Sequence, residues 1–558
     1  MPVKLPDMTK QTTMRKIFLF TFFFLFAFLP VLSFAQGNPT KGLDEKVNEW
    51  FAPAASWWEN VVFFPVKFSE TISVPFVVVL LVCGALFFTF YFSFVNIRRF
   101  ALSIRVVRGK YDHLDAHSLN VQPAELNVVE GDIVDTIKDE SHHGEVNHFQ
   151  ALATAVSGTV GLGNIAGVAV AIALGGPGAT FWMILCGLLG MSSKFVECTL
   201  GVKYRDIDSK GVVYGGPMYY LSKGLKSIGL GGAGKVLAVL FAVLCIGGSF
   251  GGGNAFQSNQ AAQQIISMTG FNGSSAGFII GVLMAILVGI VIIGGIKRIA
   301  TVTEKIVPFM AGLYILASLI IIFYHFSFID DAFALIVRSA FNPAAGLGGL
   351  AGVLIVGFRR AAFSNEAGAG SAAIAHSAVK TKYPASEGLV SLLEPFIDTV
   401  VICTMTALVI VLFNMNGQFT YGNLTPTGAV ILNSGQGSLS GVDLTSAAYN
   451  DVIPHFSYVL TIAIFLFAFS TMISWSYYGL QSWKYLFGRS RVSDISYKLL
   501  FLVFVVIGAS ATLDAVIKFS DAMILAMVFP NMIGLLLLFP KVKAELKRYL
   551  EAIKKSKS

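Results

Sequence analysis

Apolar runs of about 20 residues recur along the chain, and nothing constrains its fold more. At 1.5 Å of rise per residue, roughly 20 apolar residues cross a hydrocarbon core of about 30 Å. Inside lipid, a helix satisfies its backbone N–H and C=O groups within a single segment. Eleven transmembrane helices are expected, near 76–95, 149–174, 178–200, 236–262, 276–296, 306–325, 346–378, 388–413, 457–486, 497–512 and 520–540. Composition removes the soluble alternative. Of 558 residues 55% are hydrophobic and 13% charged, where a soluble domain carries about 25% charged residues. An all-α polytopic membrane protein follows, and soluble enzymes and nucleic-acid partners are largely excluded.

Charge placement orients the spans. Lys4, Lys10, Arg15 and Lys16 precede an apolar run ending in Ser33-Phe34-Ala35-Gln36, the pattern of a signal peptide over 1–35 cleaved after Ala35, with an uncleaved anchor as the alternative. Residues 36–75 are then extracytoplasmic, with Trp50, Trp57 and Trp58 suited to the membrane interface. Segment 76–95 is an extra helix, and 96–148 a cytoplasmic loop. Base-rich loops, such as Arg98 to Lys110, Lys297 to Lys305 and the 541–558 tail, alternate with loops poor in base, such as 263–275 and 414–456. The net charge of +8 is thus a cytoplasmic bias. A multi-pass protein of the inner (plasma) membrane is expected, its N-terminus extracytoplasmic and its C-terminus cytoplasmic. The acidic insertion 111–147 reads as a solvated loop, its histidines, with His148 beyond it, matching no metal-ligand spacing. His376 stands alone near a span end, and the five cysteines read as small buried hydrophobes.

Glycine is abundant, at 55 residues, and it clusters. The second span contains Ser157-Gly158-Thr159-Val160-Gly161-Leu162-Gly163-Asn164 near the bilayer midplane, a poor continuous helix. If it unwinds there, freed carbonyls can coordinate a small cation and the second half-helix N-terminus can meet a carboxylate. The alternative is a small-residue packing face. The seventh span repeats the pattern, with Gly346 to Gly357, Phe358-Arg359-Arg360, and Phe363-Ser364-Asn365-Glu366-Ala367-Gly368-Ala369-Gly370-Ser371. Charges at that depth are costly and usually functional. The structural alternative is an inner-leaflet clamp of Arg359 or Arg360 with Glu366 or Glu394. Setting aside the first span, the interrupted helices are first and sixth of ten. Two halves of five spans, 149–325 and 346–540, must be inverted relative to each other, the plan of secondary transporters.

Other spans supply polar groups. Ser470, Thr471, Ser474 and Trp475 share one span with the Phe467 carbonyl, and Gln257, Asn259 and Gln260 lie on another. Hydroxyls and carbonyls are hard oxygen ligands, although such hydroxyls also bond back to their own helix. Asp398 and Asp521 read as structural or gating acids near span ends.

Three motifs carry a resemblance: Gly158-Thr159-Val160-Gly161-Leu162-Gly163-Asn164-Ile165-Ala166-Gly167; Gly175-Gly176-Pro177-Gly178-Ala179-Thr180-Phe181-Trp182-Met183; and Phe363-Ser364-Asn365-Glu366-Ala367-Gly368 with Gly370-Ser371. From 145 to about 540 the chain resembles the bacterial sodium:alanine symporter family (alanine or glycine:cation symporters), which has the leucine-transporter (LeuT) fold. It departs from the family at Thr180, usually aliphatic, and at Ile184, usually Trp. The resemblance implies a 5+5 inverted-repeat core preceded by one extra helix. It implies sodium as coupling ion, held by the carbonyls of Ser157, Val160 and Phe467 with Ser470 and Thr471. Backbone at Gly158, Thr159 and Gly161 would receive a substrate carboxylate. Gln257, Thr471, Trp475 and either Phe358 (by depth) or Phe363 (by motif) would line the pocket. Asn164, Arg359, Arg360, Asn365 and Glu366 are gating candidates.

The function expected is import of a small neutral amino acid, alanine or glycine, coupled to sodium by alternating access. Glutamine as substrate, or proton coupling, is the alternative. No enzymatic cofactor is expected. The partners are the amino acid, sodium and the bilayer, with a monomer as the default state.

Overall fold

In the computed structural model, the described residues are 42–556, apart from 69–72, 117–127, 130–131, 134–143, 209–210, 272, 294, 343–348, 426–427 and 436. The expected signal peptide, most of the acidic insertion and the start of the seventh span lie outside them. The elements that position the site are α1 (Leu43–Val62), α2 (Phe76–Tyr91), α3 (His148–Thr159), α4 (Gly163–Gly175), α5 (Gly178–Lys203), α6 (Gly231–Thr269), α7 (Ala276–Ile292) and α8 (Gly295–Tyr324). They continue as α9 (Ile329–Ala340), α10 (Gly349–Asn365), α11 (Ala372–His376), α12 (Pro384–Asn416), α13 (Val442–Asn450), α14 (Phe456–Phe487), α15 (Arg491–Ser510) and α16 (Leu513–Lys555).

Among the described residues seven helices are long and apolar enough to cross a membrane, or eight if α3 and α4 count as one bent span. The eleven expected spans are therefore not all met on that measure. Helices α2 and α7 are apolar but short. The expected span 346–378 is divided between α10 and the five-residue α11, with residues 366–371 non-helical between them. Lipid exposure is plain on α7, where Ile279, Leu283, Ile286 and Ile290 point outward while Ile280, Met284 and Val288 are buried.

Local chemistry explains the first interruption. Asn147 caps α3 in a reciprocal capping box with Gln150, satisfying two orphan N–H groups. The helix runs out at Val160, and the chain resumes at Gly163–Gly167 as a π-helical turn, at 50° to α3. Further π-turns occur at Gly251–Ala255 in α6 and Phe396–Cys403 in α12. Such turns widen a helix and free backbone groups, which is why they gather at functional sites.

Packing places this bend centrally. Helix α14 lies against α3, α6, α8 and α15, while α5 lies against α2, α10, α11 and α12. The α3–α4 pair touches both groups, through α14 and α8 on one side and α10 and α11 on the other. Helix α1 lies across the start of α16. The loop 414–456 is more ordered than its Gly/Ser/Thr/Asn composition suggests. It forms a three-stranded antiparallel sheet (Phe419–Leu424, Val430–Leu432, Ser438–Leu439) and then α13. No cysteine forms a disulfide; four are buried as expected, and Cys83 is exposed.

Candidate substrate and ion site

At the α3–α4 bend, the residues expected around an ion do meet. Thr471 Oγ1 donates to the Ser157 carbonyl at 2.9 Å, and Ser157 Oγ donates to the Ser470 carbonyl at 2.8 Å. Ser470 Oγ donates to the Phe467 carbonyl at 3.1 Å, and Ser474 Oγ to Ser157 Oγ at 3.0 Å. All five residues, with Val160, are buried. The result is a group of neutral hydroxyl and carbonyl oxygens, suited to a hard cation that need not meet a carboxylate. Close approach requires glycine here: a Cβ on Gly161 would stand 2.9 Å from Gln257 Oε1 and closer still to Thr471 Oγ1.

The freed N–H groups are taken by side-chain oxygens. Gly161 N donates to Asn164 Oδ1 and Leu162 N to Gln257 Oε1, each at 2.9 Å. Beside them Trp475 Nε1 donates to the Gly158 carbonyl at 3.2 Å. Thr159 behaves differently, its hydroxyl turned back on the carbonyls of Ala155 and Val156. Helix α13 closes over the bend, Thr445 Oγ1 donating to the Ile165 carbonyl at 3.2 Å. That contact was not foreseen; the only sequence signal was Asp443 two residues after Gly441, a helix-start pattern.

The α10–α11 break supplies the opposing wall. Phe363 is the aromatic that reaches the site: its ring is 3.4 Å from where a Gly163 Cβ would stand and 5.2 Å, edge-on, from Phe256. Phe358 does not. It lies 6.1 Å from the Trp182 ring, on the α5 side. Asn164 Nδ2 donates to Asp398 Oδ1 at 2.7 Å, and Ser364 Oγ to Asp398 Oδ2 at 2.9 Å, so one buried carboxylate ties both breaks together. Asn365 Nδ2 donates to Thr399 Oγ1 at 2.9 Å.

The clamp considered as the structural alternative does not form with those partners. Neither Arg359 nor Arg360 meets Glu366 or Glu394. Arg359 pairs with Glu59 of α1 at 2.8 Å and with Asp521 at 2.7 Å, and Arg360 pairs with Asp521. Glu366 instead accepts from Trp475 Nε1 at 3.0 Å and from Ser371 Oγ. Glu394 pairs with Lys194 at 3.1 Å. His376 is not alone either: its Nδ1 meets Glu387 at 2.5 Å, and His148, expected at the edge of a solvated loop, is buried against the same carboxylate. Partners this far apart in the chain leave no local pattern.

A sequence profile of the sodium:alanine symporter family matches residues 127–558. The chain belongs to that family. It is a multi-pass membrane transporter, not an enzyme. Among relatives, it is 39% identical to the sodium/alanine symporter AgcS of Methanococcus maripaludis, over 86% of this chain and 94% of that one. It is 38% identical to the putative sodium/proton-dependent alanine carrier protein YrbD of Bacillus subtilis, over 75% and 84%. It is 35% identical to the probable sodium/glutamine symporter GlnT of Bacillus subtilis, over 86% and 89%. Its backbone also resembles MhsT in complex with L-phenylalanine at a TM-score of 0.44 and 16% identity, covering 72% of this chain and 99% of that chain, too distant a likeness to carry an argument.

Proposed function

We propose that the protein imports a small neutral amino acid, alanine or glycine, coupled to sodium by alternating access. One observation carries this reading: at the α3–α4 bend, the neutral oxygens of Ser157, Phe467, Ser470 and Thr471 converge directly beside Gly158, Trp475 and the freed N–H groups of Gly161 and Leu162. Sodium takes the oxygens, with the Val160 carbonyl. The substrate carboxylate takes the N–H groups, displacing the Asn164 and Gln257 oxygens that satisfy them here, near the positive end of the α4 dipole. Trp475 and Phe363 bound the side-chain space and favour small substrates. On this reading the chain has eleven spans in a 5+5 inverted repeat after one extra helix. Its C-terminus is cytoplasmic, and Arg359, Arg360 and Asp521 join α10 to α16 toward the outside as a gate.

Energy comes from the ion gradient, since the sequence holds no phosphate-binding GxxxxGK[ST] loop. The test is uptake of labelled alanine into proteoliposomes with and without an inward sodium gradient. Uptake that rises with the gradient is expected, and equal uptake in both removes sodium coupling. Unlabelled glutamine in the same assay separates the alanine reading from the glutamine one.

A further inference from the structure

The indole that bounds the pocket is held by a carboxylate on the opposite broken helix. Trp475 Nε1 is the ring's only donor, and it is shared between the Gly158 carbonyl at 3.2 Å and Glu366 Oε1 at 3.0 Å. The ring is slotted against α6, where a Cβ on Gly253 would stand 2.5 Å from ring carbon Cδ2 and one on Gly248 would stand 3.4 Å from Cζ3. On α14 itself Tyr478 lies edge-on to it at 5.3 Å. The ring is thus packed against α6 and Tyr478, and its N–H points to the α3–α4 bend and to Glu366.

Glu366 is shaped for that task. It has a φ of 54°, a left-handed conformation disfavoured for a residue with a Cβ. Among the described residues, the three other non-glycine residues with positive φ, Ser93, Phe94 and His455, are all exposed, whereas Glu366 is buried. A buried residue keeps such a backbone only where its surroundings impose it. Both carboxylate oxygens are used, Oε1 by the indole and Oε2 by the Ser371 hydroxyl across the same break. Ser371 anchors the carboxylate, and the carboxylate anchors the indole.

We propose that Glu366 is a positioning residue for substrate selection. By fixing the Trp475 indole over the α3–α4 bend, it sets the largest side chain that the pocket accepts. This rests on the reading above that Trp475 lines the amino-acid pocket. Without Glu366 the indole N–H keeps only the longer bond to the Gly158 carbonyl, so the ring can shift within its slot and the pocket edge widens.

The test compares wild type, E366A, E366Q and W475F in proteoliposomes under one sodium gradient, with labelled alanine as substrate. Glycine, serine, methionine and leucine serve as unlabelled competitors. E366A is expected to raise the KM for alanine by about tenfold and to let methionine and leucine compete where they do not in wild type. E366Q keeps a carbonyl oxygen for the indole and is expected to retain the wild-type order of competitors. W475F lacks the N–H and is expected to show the broadened order of E366A. A fall in maximal rate alone in E366A, with KM and competitor order unchanged, overturns the proposal and leaves Glu366 holding only the break. So does a wild-type competitor order in W475F, which decides the matter even if E366A fails to fold. If wild type takes up no neutral amino acid, the functional reading itself fails and takes this inference with it.

Discussion

The two interrupted helices read alike in the sequence and are built from different chemistry. The first break, at residues 160–162, is lined by neutral groups: Ser157, Asn164, Gln257 and Thr471 with backbone carbonyls and N–H groups. The second, at residues 366–371, holds an acid in a left-handed conformation and two glycines, Gly368 and Gly370, with φ near 90°. It is braced by Asn531, which donates to the Gly368 carbonyl at 2.8 Å and to Glu197 at 2.9 Å. Neutral oxygens can hold an ion and release it, because no buried charge is left behind when it departs. A buried acid with both oxygens occupied is poorly suited to release and well suited to holding shape. On the function proposed above, this division would make the first break the binding element and the second the positioning one.

Gly161→Ala tests the binding half and should have the largest effect. Its Cβ would crowd Thr471 Oγ1 and Gln257 Oε1, so alanine uptake is expected to fall roughly 10- to 100-fold at equal protein in the membrane. Gly167→Ala, whose Cβ meets nothing nearer than 4.0 Å, should stay within about twofold. Equal losses in the two variants would mean that the whole segment tolerates no side chain, and the crowding argument would fail.

Asp398 joins the halves, so its removal sharpens the comparison by stability rather than transport. Asp398→Ala removes the carboxylate acceptor of Asn164, Ser364 and Thr399. Asn164 keeps the residue-398 backbone carbonyl at 3.1 Å and Ser364 keeps Cys403, so the Thr399 hydroxyl bears the main loss, about 1–3 kcal/mol for a buried donor left unsatisfied. A clear drop in the unfolding temperature in detergent is expected, smaller for Asp398→Asn, which keeps one acceptor oxygen. No drop in either variant would uncouple the two breaks. The smallest effect belongs to Glu59→Gln. Its pair with Arg359 is partly solvated, and Arg359 keeps Asp521, so a cost of about 0–1 kcal/mol and uptake within about twofold are expected. A loss as large as that of Gly161→Ala would instead make α1 part of the transport cycle.

Much of this was legible because it is local. Glycine runs weaken a helix wherever they stand, and hydroxyls one turn apart on α14 share a face whatever packs against them. That Ser157, Ser470, Thr471 and Trp475 should meet at the bend is what the family resemblance implied, and they are found there. Phe358 and Phe363 could not be separated, because depth along a helix gives no rotation about its axis. The arginine pairs were misread for a related reason. Arg359 is 162 residues from Asp521 and 300 from Glu59, and neither partner belongs to its own helix.

By itself the sequence determined that the chain crosses a membrane as helices, and where the helix of the first break is weak. In lipid every backbone group must be satisfied within its own segment, and that requirement can be read segment by segment. Only the tertiary structure decided which buried charges meet and which aromatic faces the bend. It joined Glu366 to Trp475, Arg360 to Asp521, and His148 with His376 to Glu387. Those pairings depend on the offset and rotation of several helices at once, and packing sets both.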